Sequence, residues 1–221
     1  MLMIPVRVFF SKTGRAKYTS HLDTMRTMSR ALKRSGLPVW YTQGFNPHLY
    51  STFSLPIALG YESECESMDI RLVREMDLGE VADKLNRSLP PGFKATRAAA
   101  PVMEPSAIAW ADYRVTLRYL DADNTRMRHK LEDFLRQPAI EVQKRTKKGE
   151  KTLDIRPLVQ LLEAGSESGV LELTLRLASG NAQNINPTLF LKAFYDFADK
   201  EPDGVRIIRT GIYNKDLQIF L

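Results

Sequence analysis

What constrains this chain most is the order in which two hydrophobic periodicities alternate along it. Residues 4–10, IPVRVFF, have the β-branched and aromatic content of a strand. A helix is predicted from Ser20, a good N-cap, with Asp23 three residues on to complete a capping box. Leu22, Met25, Ser29 and Leu32 repeat at the spacing of a buried stripe, and Gly36 with Pro38 ends the helix. Val39–Thr42 reads as a short strand, 65–73 (CESMDIRLV) as an alternating one, 78–89 as a helix stopped by Pro90, and FKATRAA as a further strand. The predicted order is β-α-β-β-α-β.

That order recurs in the second half. WADYRVTLRYL reads as a strand with Tyr113, Val115, Leu117 and Tyr119 on one face. Asp123 caps a helix to about Leu135, with Met127, Leu131, Phe134 and Leu135 as its stripe. IEVQKR and EKTLDI form a hairpin, VLELTLRL alternates as a strand, Asn186-Pro187 opens a helix, and VRIIRTGIY is the last strand. The expected fold is α+β: two tandem ferredoxin-like (βαββαβ) units with antiparallel sheets, spanning 1–100 and 107–221. APVMEPS, Ala100 to Ser106, is the expected linker.

Composition enters through what it excludes. No apolar run approaches the ~20 residues that span a bilayer, and MLMIPVRVFF is read as a first strand and not a signal peptide. The chain is expected to be cytoplasmic and without a membrane. Cys65 is the only cysteine, so no intrachain disulfide forms, and a thiolate-held zinc or iron–sulfur cluster lacks ligands. His21, His48 and His129 are far apart in sequence, and no metal site is expected.

Charge is informative only where it clusters. Ser11–Arg34 carries seven basic residues against Asp23 alone. Lys12, Arg15 and Lys17 precede the first helix. Arg26, Arg30, Lys33 and Arg34 share one side of it at spacings of three and four. Such a stripe suits a phosphate backbone, a solvated helix face, or docking to an acidic protein surface. In QKRTKKGEK, the cations Lys144, Arg145, Lys147, Lys148 and Lys151 surround a turn at Gly149. That hairpin reads either as a projecting phosphate contact or as an edge guarded by lysines.

Between the first helix and the strand at Cys65 lies YTQGFNPHLYSTFSLPIALG, too aromatic for a solvated connector. Tyr41, Phe45, Tyr50 and Phe53 alternate with Gln43, Asn46 and His48. Rings beside cations stack unpaired bases; alternatively the segment folds back and some rings join the core. The expectation is an ordered segment forming a binding surface with His21, Tyr41, Gln43, Asn46 and His48. His21 and Asp23, two residues apart, point about 200° apart on a helix and make no obvious pair. His21 either packs and hydrogen-bonds locally or acts as a proton donor or ligand contact. Glu62, Glu64 and Glu66 are expected on a solvated strand face. No catalytic residue is assigned.

The block Ser20–Leu72 resembles the radical-SAM-linked protein family, a bacterial domain found beside, or fused to the C-terminus of, a cobalamin-binding radical SAM protein. The matching residues are Ser20-His21-Leu22-Asp23, Arg30-Ala31, Gly36-Leu37-Pro38, Gln43-Gly44-Phe45-Asn46-Pro47, Ser54, Leu59-Gly60, Glu62-Ser63-Glu64 and Asp69. Asp154-Ile155-Arg156-Pro157 also looks like the family. The resemblance implies a radical SAM protein as partner. It puts SAM, the iron–sulfur cluster and cobalamin in that partner only, with no cofactor in this chain.

The leading expectation is therefore a non-catalytic accessory protein that binds RNA or another anionic substrate and presents it to the radical SAM enzyme. One alternative is a metal-independent RNA endonuclease. Tandem ferredoxin-like domains with basic hairpins look like the repeat-processing ribonucleases of CRISPR systems, although the C-terminal glycine-rich loop of those proteins is missing here. Another is a protein–protein adaptor that binds no RNA.

Overall fold

The computed structural model describes residues 3–121, 124–146, 149–167, 169–180 and 183–221; for Asn124, Lys144–Thr146 and Glu150 it describes the backbone alone. The chain divides into two compact units: Met1–Ala107 together with Ile219–Leu221, and Ile108–Gln218. The protein is α+β, with antiparallel strand pairing and four α-helices among the described residues.

In unit 1 the elements are β1 (Ile4–Lys12), α1 (His21–Arg34), β2 (Ser51–Phe53), β3 (Glu62–Leu72), α2 (Leu78–Asn86) and β4 (Phe93–Ala99). The strands lie in the order β4-β1-β3, and β2 pairs with β3. Alternation sets the two faces of β1. Val6, Val8 and Phe10 point to the core with Met68, Ile70 and Leu72 of β3, where Met28, Ala31 and Leu32 of α1 and Val81 and Leu85 of α2 cover them.

On the other face Arg7 is 1% exposed. Its guanidinium holds Asp69 bidentately, Nε to Oδ1 at 2.6 Å and Nη2 to Oδ2 at 2.8 Å. Nη1 donates to the carbonyls of Met103 at 2.7 Å and Leu221 at 2.9 Å, and the group lies 4.4 Å from the Phe220 ring centre. A buried guanidinium is tolerated only when each of its nitrogens is paired in this way. Residues 219–221 are thereby bound to unit 1.

Unit 2 contains β5 (Ile108–Arg118), α3 (Asn124–Arg136), β6 (Glu141–Thr146), β7 (Gly149–Asp154), β8 (Val159–Glu167), β9 (Val170–Ala178), α4 (Pro187–Ala198) and β10 (Gly204–Asn214). Its sheet runs β10-β5-β9-β8, and β6-β7 is a separate hairpin. Val115, Leu117, Leu173 and Leu175 of the sheet and Leu131, Phe134, Phe190 and Phe194 of the helices are all buried. Phe134 meets Phe190 and Phe194 at centroid distances of 5.7 Å each. Asn186 caps α4 through Thr188 N–H at 3.0 Å, as its position before Pro187 predicts. The Asp123 cap predicted for α3 lies outside the described residues.

Three expectations need correction. Val39–Thr42 is not a strand; Val39 and Tyr41 make only single bridges, to Leu72 and Leu49, and the short strand beside β3 is β2. The strand β8 was not predicted. The stripe buried on α1 is Thr24, Met28, Ala31 and Leu32, whereas Leu22 is 53% exposed and Met25 and Ser29 are half-buried. No helix among the described residues is long and apolar enough to cross a membrane.

Candidate functional site: a cleft and a basic helix face in unit 1

Ser20 fixes the start of α1. Its Oγ accepts from Asp23 N–H at 3.1 Å and donates to the Asp23 carboxylate at 2.7 Å. Those bonds, the Ser20 hydroxyl first and Arg26 second, hold the Asp23 carboxyl below its usual range. At 3.6 residues per turn, Arg26, Arg30, Lys33 and Arg34 fall within an arc of about 100°, opposite the buried stripe. All four are exposed.

They are not equivalent. Arg26 pairs with Asp23 at 3.2 Å. Arg34 donates to the carbonyl of Ser88 at 2.8 Å and ties α1 to the turn after α2. Arg30 and Lys33 make no side-chain ion pair among the described residues. Lys12, expected in this surface cluster, is 1% exposed, with Nζ donating to the Thr19 carbonyl at 2.8 Å. Glu62 and Glu66, expected on a solvated face, are buried at 3% and 4% exposure, and Glu62 accepts from Gly14 N–H.

The aromatic segment is pinned at its base. Trp40 N–H bonds the Arg71 carbonyl at 2.8 Å, and Thr42 N–H bonds the His48 carbonyl at 2.8 Å. Arg71 of β3 lies over Tyr50 at 4.4 Å and Trp40 at 5.4 Å. The tip, Gln43–Pro47, is exposed throughout. Gly44, at φ +121°, supplies a turn conformation that disfavours a side chain. Phe45 beside it is 111% exposed, so both ring faces meet solvent. Tyr41 is also exposed. Phe53 instead packs edge-on against Phe10 at 6.1 Å, and His21 packs against Phe53 at 5.5 Å. His21 thus meets a ring of β2, as its packing reading anticipates.

Between α1 and His48–Thr52 is a cavity of about 380 Å³. Its α1 wall is Met25, Ser29 and Lys33. Of the predicted site residues, the cleft brings Lys33 and His48 together. Arg30 lies on the adjoining helix face, and His21 is not part of the lining. Met25, Ser29 and Tyr50 were missed as site residues. A half-apolar stripe on a helix reads as core when the facing segment is unknown.

The basic hairpin belongs to unit 2. Its backbone register pairs Lys144 with Lys151 and Arg145 with Glu150. The side chains of Lys144 and Arg145, and residues Lys147 and Lys148 altogether, lie outside the described residues. At its base, Asp154 Oδ1 accepts from the N–H groups of Ile140 at 2.8 Å and Arg156 at 2.9 Å. A cavity of about 440 Å³ beside it carries both signs of charge, through Lys192, Glu141 and Asp196.

A family model described as "Uncharacterized protein conserved in bacteria (DUF2344)" matches residues 6–187. The chain belongs to this family. The matched span of the DUF2344 chain covers the whole cleft, α1 and the hairpin. No curated protein matches the sequence. Among solved structures, the DUF2344 chain is similar to an unknown protein from Galdieria sulphuraria at 16% identity and a TM-score of 0.27, covering 93% of this chain and 96% of that one.

Proposed function

We propose that this protein binds RNA, or another anionic substrate, through unit 1 and presents it to a partner enzyme. The observation that carries the reading is local. Lys33 lines the cleft and Arg30 lies on the adjoining helix face, neither with an ion pair among the described residues, and the cleft's other wall leads to a loop tipped by the fully exposed Phe45. Cations beside solvent-facing rings serve phosphates and unstacked bases together.

The partner is proposed from resemblance: a radical SAM protein, which would carry SAM, the iron–sulfur cluster and cobalamin and perform the chemistry while this chain supplies binding and orientation. Each unit is proposed to be ferredoxin-like. In each, the β-α-β-β-α-β path gives a fourth-first-third-second strand order once the β6-β7 hairpin is taken as an insertion.

A salt titration with single-stranded RNA tests the binding. The logarithm of affinity should fall linearly with the logarithm of salt, by about 0.7 per phosphate contacted. Arg30→Gln with Lys33→Gln should weaken binding and flatten that slope. Phe45→Ala should weaken single-stranded RNA more than duplex. Salt-insensitive binding to a radical SAM partner with no RNA affinity would leave a protein adaptor instead.

A further inference from the structure

The cleft of unit 1 has a chemistry of its own. At about 380 Å³ it lies at the small end of ligand pockets, which run to roughly 1,000 Å³. Its lining contains no carboxylate, and Lys33 is its one permanently charged side chain. Ser29, Ser51 and Thr52 also line it. Lysine beside hydroxyl donors suits the oxygens of a phosphate. Met25 and Leu49 add apolar wall.

Two further features favour an attached nucleoside over inorganic phosphate. Tyr50 lines the cleft while Arg71 holds its ring from one side. His48 Nδ1 lies 3.1 Å from the carbonyl of Asn46 and 3.0 Å from Thr42 Oγ1. Those contacts engage Nδ1, and Nε2 is the second polar atom of the ring. That nitrogen suits a ribose hydroxyl, which can donate or accept.

The geometry points to a subsite for one nucleotide, with its phosphate at Lys33 and Ser29, its base against Tyr50 and its ribose within reach of His48. This deepens the RNA reading and rests on it for the source of the nucleotide. One unpaired residue of a bound strand would be held out of its stack.

The test is calorimetric titration of the full chain with adenosine 5′-monophosphate, cytidine 5′-monophosphate, adenosine and inorganic phosphate. Lys33→Gln and Ser29→Ala are compared after thermal melts confirm that they fold. A monophosphate is expected to bind at least about tenfold tighter than adenosine, the size of one charge-assisted contact. Lys33→Gln should remove that preference, Ser29→Ala should reduce it, and phosphate should compete. Equal binding of adenosine and its monophosphate, or a preference untouched by Lys33→Gln, overturns the subsite. If RNA binds and neither monophosphate does, the subsite falls and the surface reading stands. If a monophosphate binds and RNA does not, the subsite stands as a small-molecule site and the RNA reading falls.

Discussion

Tyr119 is 1% exposed, and its hydroxyl meets no hydrogen-bond partner among the described residues. Burial pushes its phenol up to about 12. Below pH 10 the phenol is neutral in folded and unfolded chains alike. Between pH 10 and 12 the unfolded chain releases the proton and the folded one keeps it, so stability falls across that window, by up to about 3 kcal/mol. Tyr119→Phe should remove this part of the alkaline loss and be at least as stable at pH 7, as urea titrations at the two pH values would show. A less stable Phe variant at pH 7 would mean that the hydroxyl is satisfied. Arg7 is the opposite case, a buried charge with every partner present. Asp69→Ala strands it, and a loss of about 3–5 kcal/mol is expected in denaturant. Restoring most of that loss with Arg7→Met and Asp69→Leu together would confirm that the stranded charge is the cause. Partners explain what sequence could show of the candidate site. The Ser20–Asp23 capping box spans three positions and was legible, whereas Arg34 donates to the Ser88 carbonyl, 54 positions away, where no local pattern points.

At the level of elements, regular stretches were readable and irregular ones were not. The four buried residues Met127, Leu131, Phe134 and Leu135 of α3 and the alternation of β9 follow their periods. β8 escapes because its register slips between Leu161 and Glu163 against β9. That bulge leaves Leu162 46% exposed and breaks the two-residue repeat on which strand recognition depends. The β6-β7 hairpin was legible, but its separation from the main sheet was not, since nothing in an alternating stretch says which strand it will pair. What fixes its base is Asp154. The backbone N–H of Arg156 first, and that of Ile140 second, hold its carboxyl below the ordinary 3.8. A depressed carboxyl contributes while ionised, so its effect is full above that value and fades as pH falls through the lowered one. The protection factors of the Ile140 and Arg156 amides, taken against the unstructured chain at the same pH, should therefore fall on acidification below about pH 4. In Asp154→Ala their protection should be low at every pH, with the amides of β9 still protected. Equal protection in the variant would assign the base of the hairpin to backbone pairing alone.

For the molecule as a whole, the sequence reads as two units spanning 1–100 and 107–221, and no local pattern in it places residues 219–221 with the first compact unit. Three residues carry no periodicity; what recruits them is Arg7, more than two hundred positions earlier. Phe220, 3% exposed and stacked by that guanidinium, should be a strong contributor. Phe220→Ala is expected to lower the melting temperature by roughly 10 °C, from a core truncation of about 3–5 kcal/mol. An unchanged melt would mean that the terminal residues merely rest on the unit. The order of assembly follows. Residues 219–221 are translated only after the whole of the second unit, so the nascent first unit has Asp69 against Arg7 but lacks the Leu221 carbonyl and the Phe220 ring until they emerge.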